Sequence, residues 1–470
     1  MMPSLQTIFA AAAGLAAAAL ATSATGHAAT DLSSPDRALG ASAAPARVVV
    51  VGLDAASWNV VRPLLDRGAL PNLARLVERG AAGPLASYWP LRTPQVWTSV
   101  VTGKLPGQHR IWDHLSSTRY NPPPFRTAEK QRLTSRHRRS LALWQLLSRS
   151  GLRTFAVGWI ESWPAERVPG VTMVAPIVSL DPRRQTTIKG SFFRDVEGQV
   201  QPRQLWPVAR RLIVEPRDVS DLELKPYADV PPAGHPIRGL PHMEHNLKTL
   251  RWSVARSESV ERLTLGLYDV ARPDVLLFYF QCGDSLAHRF WIFQKEPEAI
   301  RRRLTHHGID AAHAQELHDR FGGVVEACWR DQDTRIGRLL ARTAGPETLV
   351  LVLSDHGFGD APDPHPDPEE PYGGNHLDDG IVIAAGPAVK PGAWVKGISV
   401  LDITPTILHY LGLPYGADMR GSPALALFDE AWQRAHPPRS VATFEKKPQL
   451  KIPFAEGYPS RKDRPLASSR

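Results

Sequence analysis

The sequence predicts an α/β protein with a mostly parallel central sheet and helices on both faces, and three apolar runs predict it. ARVVVVGLDAAS (46–57), DVLLFYFQCGDSLAH (274–288) and LVLVLSDHGFG (349–359) are rich in Val, Leu and Phe without polar alternation. Strands covered on both faces read this way, and each run is too short for a membrane span. Each ends on an acid, Asp54, Asp284 and Asp355. In open parallel sheets the ligand site lies beyond the carboxyl ends of the strands, where all three acids fall.

The remaining elements follow in chain order. After the first strand, SWNVVRPLLDRG and LPNLARLVERG carry helical periodicity, and PLRTPQVWTSVVTG reads as an N-cap, Thr93, followed by proline at the first helical position. Residues 141 to 160 give a helix, LALWQLLSRSG, and a strand, RTFAVGWI. From about 165 to 240 the chain is rich in Pro, Arg and Asp with weak periodicity, which predicts an inserted cap over the strand ends. The core resumes with an amphipathic helix near 243–271, the DVLLFYF strand, a helix near 312–344, the LVLVLSDHG strand, GIVIAAG at 380 and a final helix in LDITPTILHYLG. The basic tail from 435 to 470 shows no core pattern and reads as mobile.

At 470 residues, 43% apolar and 22% charged, the chain can bury a sizeable core, and wholesale disorder is excluded. Residues 1–29 combine an Ala/Leu-rich run with small residues suited to signal-peptidase cleavage, which predicts export to the periplasm or medium and no transmembrane span after cleavage. The segment lacks Lys or Arg at its start, and an uncleaved anchor is the alternative. The formal net charge is +9, with arginines concentrated in EKQRLTSRHRRS (129–140) and RRRLTHH (301–307). Such runs read first as solvated faces, and otherwise as attraction for an anionic substrate or membrane surface. No zinc-finger spacing or aromatic-interleaved basic module marks a nucleic-acid binder. Only two cysteines occur, Cys282 and Cys328; no disulfide framework supports the fold, and their pairing stays open.

The strand-end acids have imidazole company. His288 follows Asp284 by four residues, so on a helix both side chains share one face, and His356 adjoins Asp355. Three acids with histidines at ligand spacing point to a metal site rather than to unrelated turn residues.

Six stretches in order, VVVVGLDAAS, LPNLARLVERGAAGPL, TPQVWTSVVTGKLPGQH, DSLAH, SDHGFG and NHLDDGIVIAAGP, resemble the type I phosphodiesterase/nucleotide pyrophosphatase branch of the alkaline phosphatase superfamily, over residues 46 to 428. The resemblance implies an alkaline-phosphatase-like three-layer sandwich and two divalent ions. One would be held by Asp284, His288 and His376, the other by Asp54, Asp355, His356 and the Thr93 hydroxyl. Three imidazoles and three carboxylates suit zinc, with manganese or iron also compatible. His365, on the loop DAPDPHPDPEEPYGGNH, competes with His376; His376 is preferred because the strand DGIVIAAG follows it.

Thr93 is the implied nucleophile, acting on an anionic phosphate ester in a two-step transfer through a phosphothreonine. Two departures bear on substrate. Pro94 has no N–H, leaving Thr93, Gln95 or Val96 to offer phosphate donors, and Val96 stands where many diesterases have asparagine. A phosphodiester or nucleotide-like substrate is expected; monoester hydrolysis, phosphosugar mutase chemistry and an inactive metal-binding protein are the alternatives. Sulfatase activity is disfavoured, since no Cys or Ser followed by Pro and Arg occurs near Thr93.

Overall fold

A computed structural model describes residues 44, 46–115, 132–177, 190–230, 240, 243–362 and 371–445. Its main strands are β1 (Val48–Leu53), β2 (Ala81–Ala86), β3 (Thr154–Val157), β4 (Val171–Val174), β5 (Val200–Gln201), β6 (Val275–Phe280), β7 (Leu349–Leu353), β8 (Gly357–Gly359), β9 (Asn375–Leu377), β10 (Asp379–Ala385), β11 (Ala393–Trp394) and β12 (Ile398–Ser399). The main helices are α1 (Trp58–Asp66), α2 (Pro71–Arg79), α3 (Thr93–Thr102), α4 (Leu143–Arg149), α5 (Trp206–Leu212), α6 (Met243–Ala271), α7 (Cys282–Phe290), α8 (Ala311–Phe321), α9 (Val324–Thr343) and α10 (Ile403–Tyr410).

The main sheet runs β11-β2-β10-β7-β1-β6-β3-β4-β5, with β12 also on β2. β7, β1, β6, β3 and β4 form an unbroken parallel centre, and β10 enters antiparallel between β7 and β2. Alternate residues of β1 divide between two cores. Val49, Val51 and Leu53 pack with α1, α2 and α5 to α9, whereas Val48 and Val50 pack with α3, α4 and α10. Each fully buried Val or Leu contributes about 1.5–3 kcal/mol. A one-residue slip of β1 would exchange the two faces and aim Asp54 the wrong way, so the burial that builds the sheet also fixes the acid.

The structure changes three expectations. The stretch read as a pattern-poor cap contains β4 and β5, which extend the sheet beyond β3; VTMV is wholly buried but too short to stand out among prolines and arginines. The helix expected over 312–344 is two helices parted at Gly322 and Gly323. A Cβ on Gly322 would lie 2.6 Å from the His318 carbonyl oxygen and 3.0 Å from that of Phe293, so the break is where the chain passes close to other backbone. In the segment read as a tail, residues up to 445 are ordered against the fold: Glu445 pairs at 3.1 Å with the buried ammonium of Lys104. The signal segment, residues 129–131 of the basic run and the end of the tail lie outside the described residues. Within that run Arg138 is turned inward onto Glu166 at 2.8 Å. Among the described residues no helix is long and apolar enough to cross a membrane.

Candidate metal centre

β6, β1 and β7 are neighbours, so their ends bring Asp284, Asp54 and Asp355 to one place. Asp54 follows Leu53 directly, its N–H donating to the Phe280 carbonyl at 3.0 Å, and Ala55 then turns the chain at φ 64°. Asp284 and His288 lie one turn apart on α7, and the His288 Nε2 is 3.2 Å from Asp284 Oδ1. Beyond β7 the chain enters a two-stranded ladder in which Phe358 on β8 faces His376 on β9. That ladder brings His376 back beside His356. Its Nε2 lies 3.2 Å from Asp284 Oδ1 and 2.8 Å from His288 Nε2.

Five predicted ligands are thus gathered in two overlapping groups, Asp54, Asp355 and His356, and Asp284, His356 and His376, whose ligand atoms lie within 4.8 Å of one another in each. His288 completes the second group through its contacts to Asp284 and His376. His365 lies outside the described residues.

The ring tautomers suit a cation. His356 Nδ1 donates to the Gly357 carbonyl at 3.1 Å and His376 Nδ1 to the Leu91 carbonyl at 3.0 Å, which leaves each Nε2 as a lone-pair donor. His356 Nε2 faces Asp355 Oδ2 at 3.3 Å and Asp54 Oδ1 at 3.6 Å. Asp54 Oδ1, Asp284 Oδ1, Asp355 Oδ2 and His356 Nε2 are all buried and without a hydrogen-bond partner. Four converging buried atoms of this kind are expensive to bury empty and are suited to a divalent ion.

Burial, and after it the charge of Asp355, push the Asp54 carboxyl well above the usual carboxylate range. Burial raises Asp355 likewise. Burial acts on Asp284 in the same sense, but the imidazoles of His288 and His376 outweigh it and hold that carboxyl well below its usual range. Burial keeps His356 neutral far below the ordinary histidine range. The protein alone thus disfavours ionisation of Asp54 and Asp355, which a dication would favour.

Thr93 is buried and is the first residue of α3; the N-cap is Arg92, with no side-chain capping bond, so the expected capping role of Thr93 is not found. The physical reason is Pro94, which sits comfortably one residue further in. Val96 N–H donates to the Arg92 carbonyl at 3.0 Å, which removes it from the three phosphate donors expected and leaves the first-turn N–H groups of Thr93 and Gln95. The loop entering α3 is tied to the centre through Leu91, the acceptor for His376.

Sequence reasoning missed Tyr279, whose hydroxyl donates to Asp54 Oδ2. It left the pairing of Cys282 and Cys328 open; the two form a disulfide, with Cα atoms 6.2 Å apart, joining α7 to α9 two residues before Asp284. An apolar run gives no local sign of either.

The model of the type I phosphodiesterase/nucleotide pyrophosphatase family matches residues 48–391. A search of curated proteins finds no match. Among solved structures the chain is similar to murine ectonucleotide pyrophosphatase/phosphodiesterase 5, with 11% identity, a TM-score of 0.43 and coverage of 81% of this chain and 100% of that one. It is similar to a phosphonate monoester hydrolase from Silicibacter pomeroyi, with 14% identity, a TM-score of 0.43 and coverage of 81% and 76%. For phosphonoacetate hydrolase from Sinorhizobium meliloti the figures are 17%, 0.37, 68% and 59%. With the family's motifs on the strand ends and its model matched from β1 to β10 and beyond, the chain belongs to the type I phosphodiesterase/nucleotide pyrophosphatase family of the alkaline phosphatase superfamily and is a phosphoric ester hydrolase.

Proposed function

We propose that the protein hydrolyses phosphodiesters or nucleotide-like esters in two steps, with Thr93 as the nucleophile and two divalent ions, zinc by preference, held by Asp284, His288 and His376 and by Asp54, Asp355 and His356. The observation that carries this reading is the hydrogen bond from His376 Nδ1 to the Leu91 carbonyl, 3.0 Å long, which fixes the loop two residues before Thr93 to a ligand of the centre. Ions in these groups would lower the pKa of a nearby hydroxyl and neutralise charge on the attacking and leaving oxygens.

The chain's own residues do the rest. The Thr93 Oγ attacks phosphorus, the ester alcohol leaves, and water then hydrolyses the phosphothreonine, releasing phosphate or a phosphomonoester and restoring the hydroxyl. The N–H groups of Thr93 and Gln95 at the start of α3 are placed to receive phosphoryl oxygens. His356 and His376 turn their Nε2 atoms toward the centre, since carbonyls hold the Nδ1 sides of both rings. The disulfide supports export, since such bonds persist in oxidising compartments.

Acid quenching during turnover of a nitrophenyl phosphodiester, followed by peptide mass spectrometry, is expected to find on Thr93 the transferred phosphoryl group with its remaining ester still attached. An unmodified Thr93, together with undiminished turnover in Thr93→Ala, would show that water attacks directly and would end the covalent mechanism.

A further inference from the structure

Tyr279 lies within the all-apolar VLLFYF strand and is wholly buried, yet its hydroxyl ends on a proposed metal ligand. It donates to Asp54 Oδ2, while Asp54 Oδ1, the other oxygen of that carboxylate, has no hydrogen-bond partner and faces His356 Nε2. One oxygen is therefore held by the phenol and the other presented to the centre.

The phenol ring is itself fixed on several sides. Trp97 meets it edge-on, with centroids 5.0 Å apart and planes at 73°. The guanidinium of buried Arg256 sits 5.1 Å from its centroid and donates to the carbonyl of Gly158 at 3.3 Å and to the side chain of Gln281. Gly52, two residues before Asp54, completes the seat: a Cβ there would come within 2.9 Å of the Tyr279 ring and 3.1 Å of Trp97. A ring so confined can present its hydroxyl in one direction only. Trp97 is also one turn after Thr93 on α3.

We infer that Tyr279 is a positioning residue that selects which oxygen of Asp54 meets the ion and, through Trp97, sets the Thr93 helix against that ligand. The first half needs only the metal centre; the second rests on the reading of Thr93 as nucleophile.

The test is Tyr279→Phe in the full chain, which removes the hydroxyl and leaves the ring. Zinc affinity, measured by competition with a chromophoric chelator, is expected to fall about 10- to 100-fold at one site, in keeping with the loss of a partner that orients a ligand. Activity at limiting zinc should fall with it and recover as zinc is raised, which general damage to the fold would not do. Trp97→Phe, the second variant, should bind zinc as the wild type does but lose kcat with KM unchanged. Wild-type zinc affinity in Tyr279→Phe would overturn the role in positioning Asp54, and unchanged kcat in Trp97→Phe would overturn the link to α3. If Tyr279→Phe does not fold, Arg256→Met, which frees the ring and keeps the hydroxyl, should weaken the same site by a smaller factor, and an unchanged affinity there would overturn the inference. The zinc measurement involves no ester, so its failure is distinct from failure to trap a phosphothreonine.

Discussion

The imidazoles of His356 and His376 stack with ring centroids 3.9 Å apart and planes 22° from parallel, although the two residues are 20 positions apart in sequence. Residues expected to serve different ions therefore form one shared wall, and His356 belongs to both candidate groups.

Single-ligand variants should separate the two sites. Asp54→Ala and His376→Ala are each expected to lower bound metal from two ions toward one and to abolish most activity, whereas His356→Ala should lower occupancy at both. Elemental analysis of the purified variants gives the count, and two ions at full occupancy in both Asp54→Ala and His376→Ala would refute the ligand assignment.

Thr93→Ala should keep both ions, since the carboxylates and imidazoles remain, while turnover falls by about three orders of magnitude or more. Thr93→Ser should retain measurable activity, because its hydroxyl can still attack. Steady-state kinetics at saturating metal distinguishes the two.

Gly283 is expected to tolerate no side chain. A Cβ there would lie 2.6 Å from the Asp54 carbonyl oxygen and 2.6 Å from the Trp329 ring, so Gly283→Ala must move α7, which carries Asp284 and His288. Overpacking of this kind costs about 1–3 kcal/mol. A lower unfolding temperature accompanied by weaker metal binding would confirm that α7 has moved; a well-folded variant with normal metal content would show that the helix shifts without consequence.

His109 should give stability an acid limb. Its Nδ1 accepts the Ile111 N–H at 3.1 Å, so its proton is on Nε2, which donates to Ser99 Oγ at 3.0 Å. Burial, reinforced by Arg138, holds its pKa well below 6.5. As pH falls through the unfolded value the unfolded chain takes up a proton that the native state refuses, so this contribution is complete above that value and is lost below it. Denaturant titrations should show His109→Gln losing less stability on acidification than the wild type, by up to about 1.4 kcal/mol per pH unit. Equal slopes would show that His109 is protonated in place.

Removing the cross-link by Cys282→Ala with Cys328→Ala restores freedom to a loop of 46 residues, which the chain-entropy model puts at about 4 kcal/mol. The unfolding temperature should drop clearly, and metal retention at the Asp284 half of the centre should drop with it.

Much of the centre was legible because strand ends are local signals. Asp54, Asp284 and Asp355 close apolar runs, His288 has helical spacing, and His376 precedes a strand. What escaped depends on contacts between distant segments. Lys104 and Glu445 find each other across most of the chain, so the tail carries no periodicity that would reveal its packing. Tyr279 looks like one more buried aromatic until Asp54 is set beside it in the sheet. β4 is four residues long, and its burial comes from β3 rather than from any pattern of its own.

The entry of β10 between β7 and β2 has a consequence for biosynthesis. Asp54 leaves the ribosome early, but His376 is made only just before β10, and the place for that strand stays open in the sheet until then. A nascent chain carries the acids without the ring that completes the group, so an ion that needs His376 would be bound only once that residue has been made. A product stopped short of β9 would lack both a candidate ligand and a strand near the middle of its sheet.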